Sequence, residues 1–385
     1  MIALAFAVNL FAANEPTLSD RIVESPIRVE KLQNGARLIA VNLPEAKTVS
    51  AQLFLSSEGL GANIDKAGGR HMLEHLVAVG NGSLDAELES QGAFLTAATY
   101  RGVIRFEIVA GPSQGVYAGT KLASLLQKRT FSEFEVSEEL KTLHQELALT
   151  ASERGTRESA WFSAYGDSRP DPAGSVEGLK LLTPEILNRL WSWLSEGSRV
   201  TLVVAGKLNA EQTIASLIPK LEGLEMSRDI PFGDMASFDS KVPRSSDFIS
   251  GKIDAWGTPR HAARLAVALS LGNLDSRVKL HYTPGPQPGL VTLVFPESKS
   301  WKDAKDYITG LTLVAPDQAR RTAKQWFSRL IASPSGSAYL HGMLVSPTDE
   351  VRPSAFESAL EKVTPEVLQA EYDRWMTAET GKVLP

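Results

Sequence analysis

The chain has no cysteine among its 385 residues, which excludes disulfides, thiolate zinc sites and a cysteine nucleophile. Any metal it binds must be held by nitrogen and oxygen. It also lacks a basic face. The 40 Lys and Arg are outnumbered by 45 Asp and Glu, leaving a net charge of −5 with no cationic cluster. That argues against nucleic acid or an anionic membrane as partner. No segment is apolar over the length needed to span a bilayer. What is present is an ordinary soluble composition, 43% hydrophobic and 22% charged, at a length that gives two or three domains.

Residues 1–13, MIALAFAVNLFAA, are apolar, but no basic residue precedes them and Phe11-Ala12-Ala13 is a poor cleavage site. Two readings stay open: a secretory signal, implying a periplasmic or secreted protein, or an apolar first element of a cytoplasmic one. Residues 1–25 are therefore set apart as a candidate signal or extension.

From Ile27 the pattern predicts a hairpin turning at Asn34-Gly35, then a third strand from about Val49 to Leu55. GGRHMLEHLVAVG, residues 68–80, has helical periodicity, and SLDAELESQG reads as a second short helix. FLTAATYRGVIRFEIVAG returns to strand character. Helices are predicted over 113–128 and 134–165, the second interrupted near Gly155. Thr183-Pro184-Glu185 opens another helix with a capping Thr and Pro at the first position. RVTLVVAG, 199–206, reads as a buried strand.

The second half echoes the first. RHMLEHLVAVG returns as RHAARLAVALS, GVIRFEIV as GLVTLVFP, and LTPEILNRLWSWL as VTPEVLQAEYDRWM, at separations of 190, 187 and 181 positions. The expected fold is α+β: two duplicated domains, each an antiparallel sheet with helices packed on one face. The expected divisions are 26–222 for the first domain, 223–245 for a linker and 246–385 for a degenerate second domain. In that alignment His71 matches His261, but Glu74 becomes Arg264 and His75 becomes Leu265. Only one half carries the polar triplet.

That triplet has a chemical reading. On a helix, His71 and His75 point within about 40° of each other, one turn apart, so both imidazoles can bind one ion. Glu74 reaches the same pocket and can serve as general base for an activated water. Two His and one carboxylate with a position left open is a catalytic zinc arrangement, and the spacing is H-x-x-E-H. For the third ligand the long helix offers Glu146, beside Leu143 and Leu147, with Glu139 on the same face as a supporting carboxylate. His144 points elsewhere and is taken as structural. Nitrogen and oxygen donors of this kind could also take manganese or cobalt.

GGRHMLEHL followed by the Glu139/Glu146 helix resembles the insulinase/pitrilysin family of zinc peptidases, the inverzincins. The likeness runs through GAFLTAATYRGVIRFEIV, ELKTLHQELALTASERGTRESAWF and the stretch to RVTLVVAGKLNAEQ, covering about 200 residues. It implies one Zn²⁺ per chain, bound by His71, His75 and Glu146, with Glu74 as catalytic base in peptide hydrolysis. It also implies a peptide substrate added as a strand near residues 95–100, contacting Thr96, Ala97 and Ala98. The family's edge segment usually reads Leu-Asn-Ala-x-Thr, whereas here Thr96 replaces the Asn. An Arg and a Tyr that hold substrate are expected in the second half; the nearest candidates are Arg277 and Tyr282, in a shortened, Pro-rich segment. Four such domains commonly enclose a chamber, so this two-domain chain is expected to pair, as a homodimer or with a related subunit that supplies the missing grip. The alternative is a non-catalytic structural or binding subunit of a heterodimeric peptidase.

Overall fold

The computed structural model describes residues 27–78, 82–228, 231–238, 245–274, 278–285, 288–294, 316–345 and 352–385. The apolar segment 1–13 and Arg277 lie outside them. Among the described residues no helix is long and apolar enough to cross a membrane.

The first half opens with β1 (Ile27–Lys31), β2 (Arg37–Asn42) and β3 (Val49–Ser56). Gly35 makes the first turn at φ 91°, a conformation that suits glycine. Two short helices follow, α1 (Ala62–Lys66) and α2 (Gly69–Ala78), then α3 (Gly82–Ser90). A hairpin of β4 (Phe94–Tyr100) and β5 (Val103–Ala110) turns at Arg101-Gly102. After α4 (Gly115–Leu125) comes α5 (Glu133–Tyr165), 33 residues without interruption. The expected break at Gly155 does not occur. Gly155 is buried inside a helix whose start is fixed by a capping box between Ser132 and Glu135, so one glycine does not end it. Then come α6 (Val176–Leu179), α7 (Pro184–Leu194), capped by Thr183 as expected, β6 (Val200–Gly206) and α8 (Ala210–Leu221).

The first sheet has the order β1-β2-β6-β3-β5-β4, antiparallel except for β2 beside β6. β4 is its outermost strand, with no described strand on its far side. The second sheet joins β7 (Phe248–Ile253), β8 (Lys279–Tyr282), β9 (Gly289–Val294) and β10 (Lys382–Leu384) in the order β10-β7-β9-β8, with β10 parallel to β7. The strand sequence β3-β5-β4 thus recurs as β7-β9-β8, with α2 and α9 (Pro259–Leu274) in corresponding places.

Each sheet is covered on one face by helices of its own half and on the other by a helix of the opposite half. α4 and α8 pack on the first sheet from one side, and the helix Pro334–Met343 from the other. Its Ala338 and Met343 meet Ile39, Val41, Phe54 and Val203. In return, the last turns of α5 place Ala160, Trp161 and Tyr165 against Phe248 and Leu290 of the second sheet. The segment between the halves is not free chain either. Phe232 is buried in the first core, and Asp234 accepts hydrogen bonds from the Asn63 and Ile64 amides at the start of α1.

In the second half the position matched to Glu74 has a structural use. Arg264 is fully buried and donates to Glu371 Oε1 at 2.5 Å and to the Lys252 carbonyl. Glu371 also accepts from Trp375 and Arg374. Removing one partner of a buried pair leaves the other charge uncompensated. Arg264→Met is therefore expected to lower unfolding free energy by on the order of 3 kcal/mol, read by urea denaturation, while leaving metal content unchanged.

Candidate metal centre and active site

α2 starts where two backbones touch. Gly68 has φ +85°, and a Cβ there would lie 2.9 Å from the Ala173 carbonyl oxygen; one on Gly174 would lie 2.5 Å from Gly68 Cα. This close approach brings the 173–174 loop onto the first turn of α2. The Ala173 carbonyl then lies 3.2 Å from His71 Nδ1. A carbonyl only accepts, so Nδ1 carries a proton and Nε2 is the ring atom turned toward Glu146.

One face of α2 buries Met72, Leu73, Leu76 and Val77 in the first core. His71, Glu74 and His75 are buried as well. The imidazoles of His71 and His75 stand edge to face, 4.9 Å between centroids. α5 packs across α2 and brings up Glu146, whose two oxygens lie 3.5 Å from His71 Nε2 and 3.2 Å from His75 Nε2. The ligand atoms of these three residues all fall within 4.8 Å of one another, so the group could hold a metal ion. On the far side of His75, Nδ1 lies 3.4 Å from Glu139 Oε2, and neither atom is hydrogen-bonded elsewhere. Two neutral-capable imidazole nitrogens and one carboxylate are a donor set suited to zinc, so the residues present fit it. His144 lies outside this group, half-buried.

The electrostatics follow from the geometry. Burial alone would lower the His75 pKa, but Glu139, Glu146 and Glu74 oppose it and push the imidazole up to about 9. Hydrogen bonds from His71 and His75 hold Glu146 well below the usual carboxylate range despite its burial. Without a metal, His75 is thus protonated at neutral pH and bridges two carboxylates. A metal must displace that proton. Zinc titration calorimetry in buffers of different ionisation enthalpy should show about one proton released near pH 7.5, falling away above pH 9. The sign also fixes stability. The folded-state pKa of His75 exceeds its ordinary 6.5, so its contribution to the metal-free fold is complete below pH 6.5 and lost as pH rises through 9.

Two contacts escaped sequence reading. Thr99 Oγ1 donates to Glu74 Oε2 at 2.6 Å. Arg70, fully buried, donates to Asp65 at 2.6 and 2.9 Å and to the Tyr100 carbonyl at 2.6 Å. Strand alternation would have put Leu95, Ala97 and Thr99 on one face, but only the tertiary fold puts that face against α2. Of the segment expected to meet peptide, Ala97 lies on that face and Thr96 and Ala98 on the other, along the open edge of β4. Tyr282 is half-buried on β8. Its hydroxyl lies 2.9 Å from His261 Nε2 and its ring packs near Trp326.

No protein-family model and no curated protein matches the chain. Solved structures do. A protease from Helicobacter pylori is 15% identical, with 94% of this chain and 100% of that one covered and a TM-score of 0.68. The periplasmic protease PqqL from Escherichia coli is 13% identical over 93% of this chain but 47% of its own, at a TM-score of 0.60. An inactive domain of peptidase M16 from Pseudomonas fluorescens is 14% identical, with 90% and 94% covered, at 0.61. The chain has the two-domain fold of M16, or insulinase-like, peptidases.

Proposed function

We propose that this chain is a zinc-dependent peptidase in which His71, His75 and Glu146 hold the metal and Glu74 is the base. The observation that carries the reading is the convergence of both Nε2 atoms on Glu146 next to a buried Glu74 and the open edge of β4. Bound there, zinc would supply Lewis acidity toward water and a peptide carbonyl. The chain's own residues do the rest. Ala173 and Glu139 hold the outer nitrogens of the two imidazoles, so both Nε2 atoms face inward. Glu74 takes the proton of the attacking water and returns it to the departing amine. The amides and carbonyls of β4 take an extended peptide as an added strand, with Thr96, Ala97 and Ala98 at its centre, a mode that reads backbone more than side chain.

Among the described residues of the second half, the candidates for substrate grip are engaged elsewhere. The Tyr282 hydroxyl is already engaged by His261, and Arg264 is committed to Glu371. This chain spans 47% of PqqL, and it also matches the first half of PqqL over 91% of its own length. The chain is therefore proposed to pair with a second two-domain subunit, identical or related, that completes the chamber. Zinc analysis and cleavage of unstructured peptides, by the chain alone and with candidate partners, test this. Zinc binding without cleavage in any pairing would favour the second reading, a non-catalytic subunit, which the likeness to an inactive M16 domain supports.

A further inference from the structure

Arg70 and Glu74 are four residues apart on α2 and so lie on one face, a turn apart. They grasp consecutive residues at the end of β4: Glu74 accepts from the Thr99 hydroxyl, and Arg70 donates to the Tyr100 carbonyl. We infer that Thr99 and Arg70 are positioning residues that latch the peptide-accepting strand to the helix carrying the base, with Thr99 fixing which Glu74 oxygen receives the proton. This rests on the peptidase reading above.

The chemistry of each contact favours a fixed arrangement. An ionised carboxylate only accepts, and the 2.6 Å separation from Thr99 is that of a charge-assisted O–H···O bond. It uses one lone pair of Oε2 and makes that oxygen the less basic of the two, which favours Oε1 for the proton. Arg70 is fully buried, and its charge is met in a bidentate pair by Asp65 of α1. Its Nη1 donates to the last carbonyl of β4, so the strand end cannot slide along α2 without breaking that hydrogen bond. Upstream, Leu95 and Ala97 pack against the same core that seats α2. A peptide pairing with β4 therefore meets a strand whose end is already in register with the base. The hydrogen bonds of Thr99 and Arg70 go to Glu74, Asp65 and Tyr100 and not to His71, His75 or Glu146, so the latch acts on Glu74 and the strand rather than on metal affinity.

The test uses the full chain in two states. In the metal-free protein labelled with [¹³C]glutamate, the Glu74 carboxyl resonance is assigned by its loss in Glu74→Gln. Thr99→Val should move it, Thr99→Ser should leave it near the wild-type position, and Arg70→Lys should move it while increasing amide exchange over residues 94–103. In the zinc-loaded protein, Thr99→Val should keep its metal and its KM within about twofold, yet lose about 10²-fold in kcat, the scale of a small misplacement of a reacting group. Thr99→Ser should recover most of that loss. A resonance unmoved in Thr99→Val, a KM that rises while kcat holds, or a loss of zinc would overturn the inference. If the resonance moves as expected but the wild type cleaves no peptide in any pairing, the latch stands and the peptidase reading fails separately.

Discussion

Glu74→Gln is expected to bind zinc as the wild type does and to lose about 10²- to 10⁴-fold in kcat, the range for removing a general acid–base group. The substitution preserves size, and the amide oxygen can still accept from Thr99, so the buried position next to β4 is filled as before. What disappears is a group able to take a proton. KM should change little, because in the proposed reading the β4 edge rather than Glu74 grips the peptide. Steady-state kinetics with metal analysis on the same preparation separates these effects. Activity within tenfold of wild type would mean that another group moves the proton.

The second large effect is on the metal itself. Glu146 is the one proposed ligand that comes from α5, and both His71 and His75 face it. Glu146→Gln replaces an anion with a neutral amide and should weaken zinc binding by at least about 10²-fold, beyond the 10- to 100-fold usual for residues that merely support a ligand. A second consequence appears without metal. The wild-type Glu146 carboxylate is held below its ordinary range, so it contributes stability above about pH 4.5 that is lost as pH falls. The same contact raises the His75 pKa. The variant should therefore show a smaller fall in Tm between pH 6.5 and 9 than the metal-free wild type. Unchanged zinc affinity would remove Glu146 from the ligand set.

The clustering of His71, His75 and Glu146 was legible because much of it follows from local helix geometry. Histidines four apart on a helix share a face whatever surrounds them, and Leu143 and Leu147 marked the inward side of α5. The α+β class and the recurrence of strand order were legible for a similar reason, since three apolar patterns returned in sequence order. Thr99 was not, because its role depends on which face of β4 meets α2. The burial of Arg70 was not legible either, because the partners that allow it, Asp65 and the Tyr100 carbonyl, are brought to it by the fold. The exchange of covering helices between halves was hidden as well. Nothing in the sequence of Pro334–Met343 says that its apolar residues belong to the sheet of the first half.

The most direct test of the central claim is anomalous diffraction at the zinc edge from crystals grown with equimolar zinc. The account predicts one strong peak per chain, in contact with His71 Nε2, His75 Nε2 and Glu146, and its loss in Glu146→Gln. A zinc-replete crystal with no peak there, or with zinc bound only elsewhere, would contradict it.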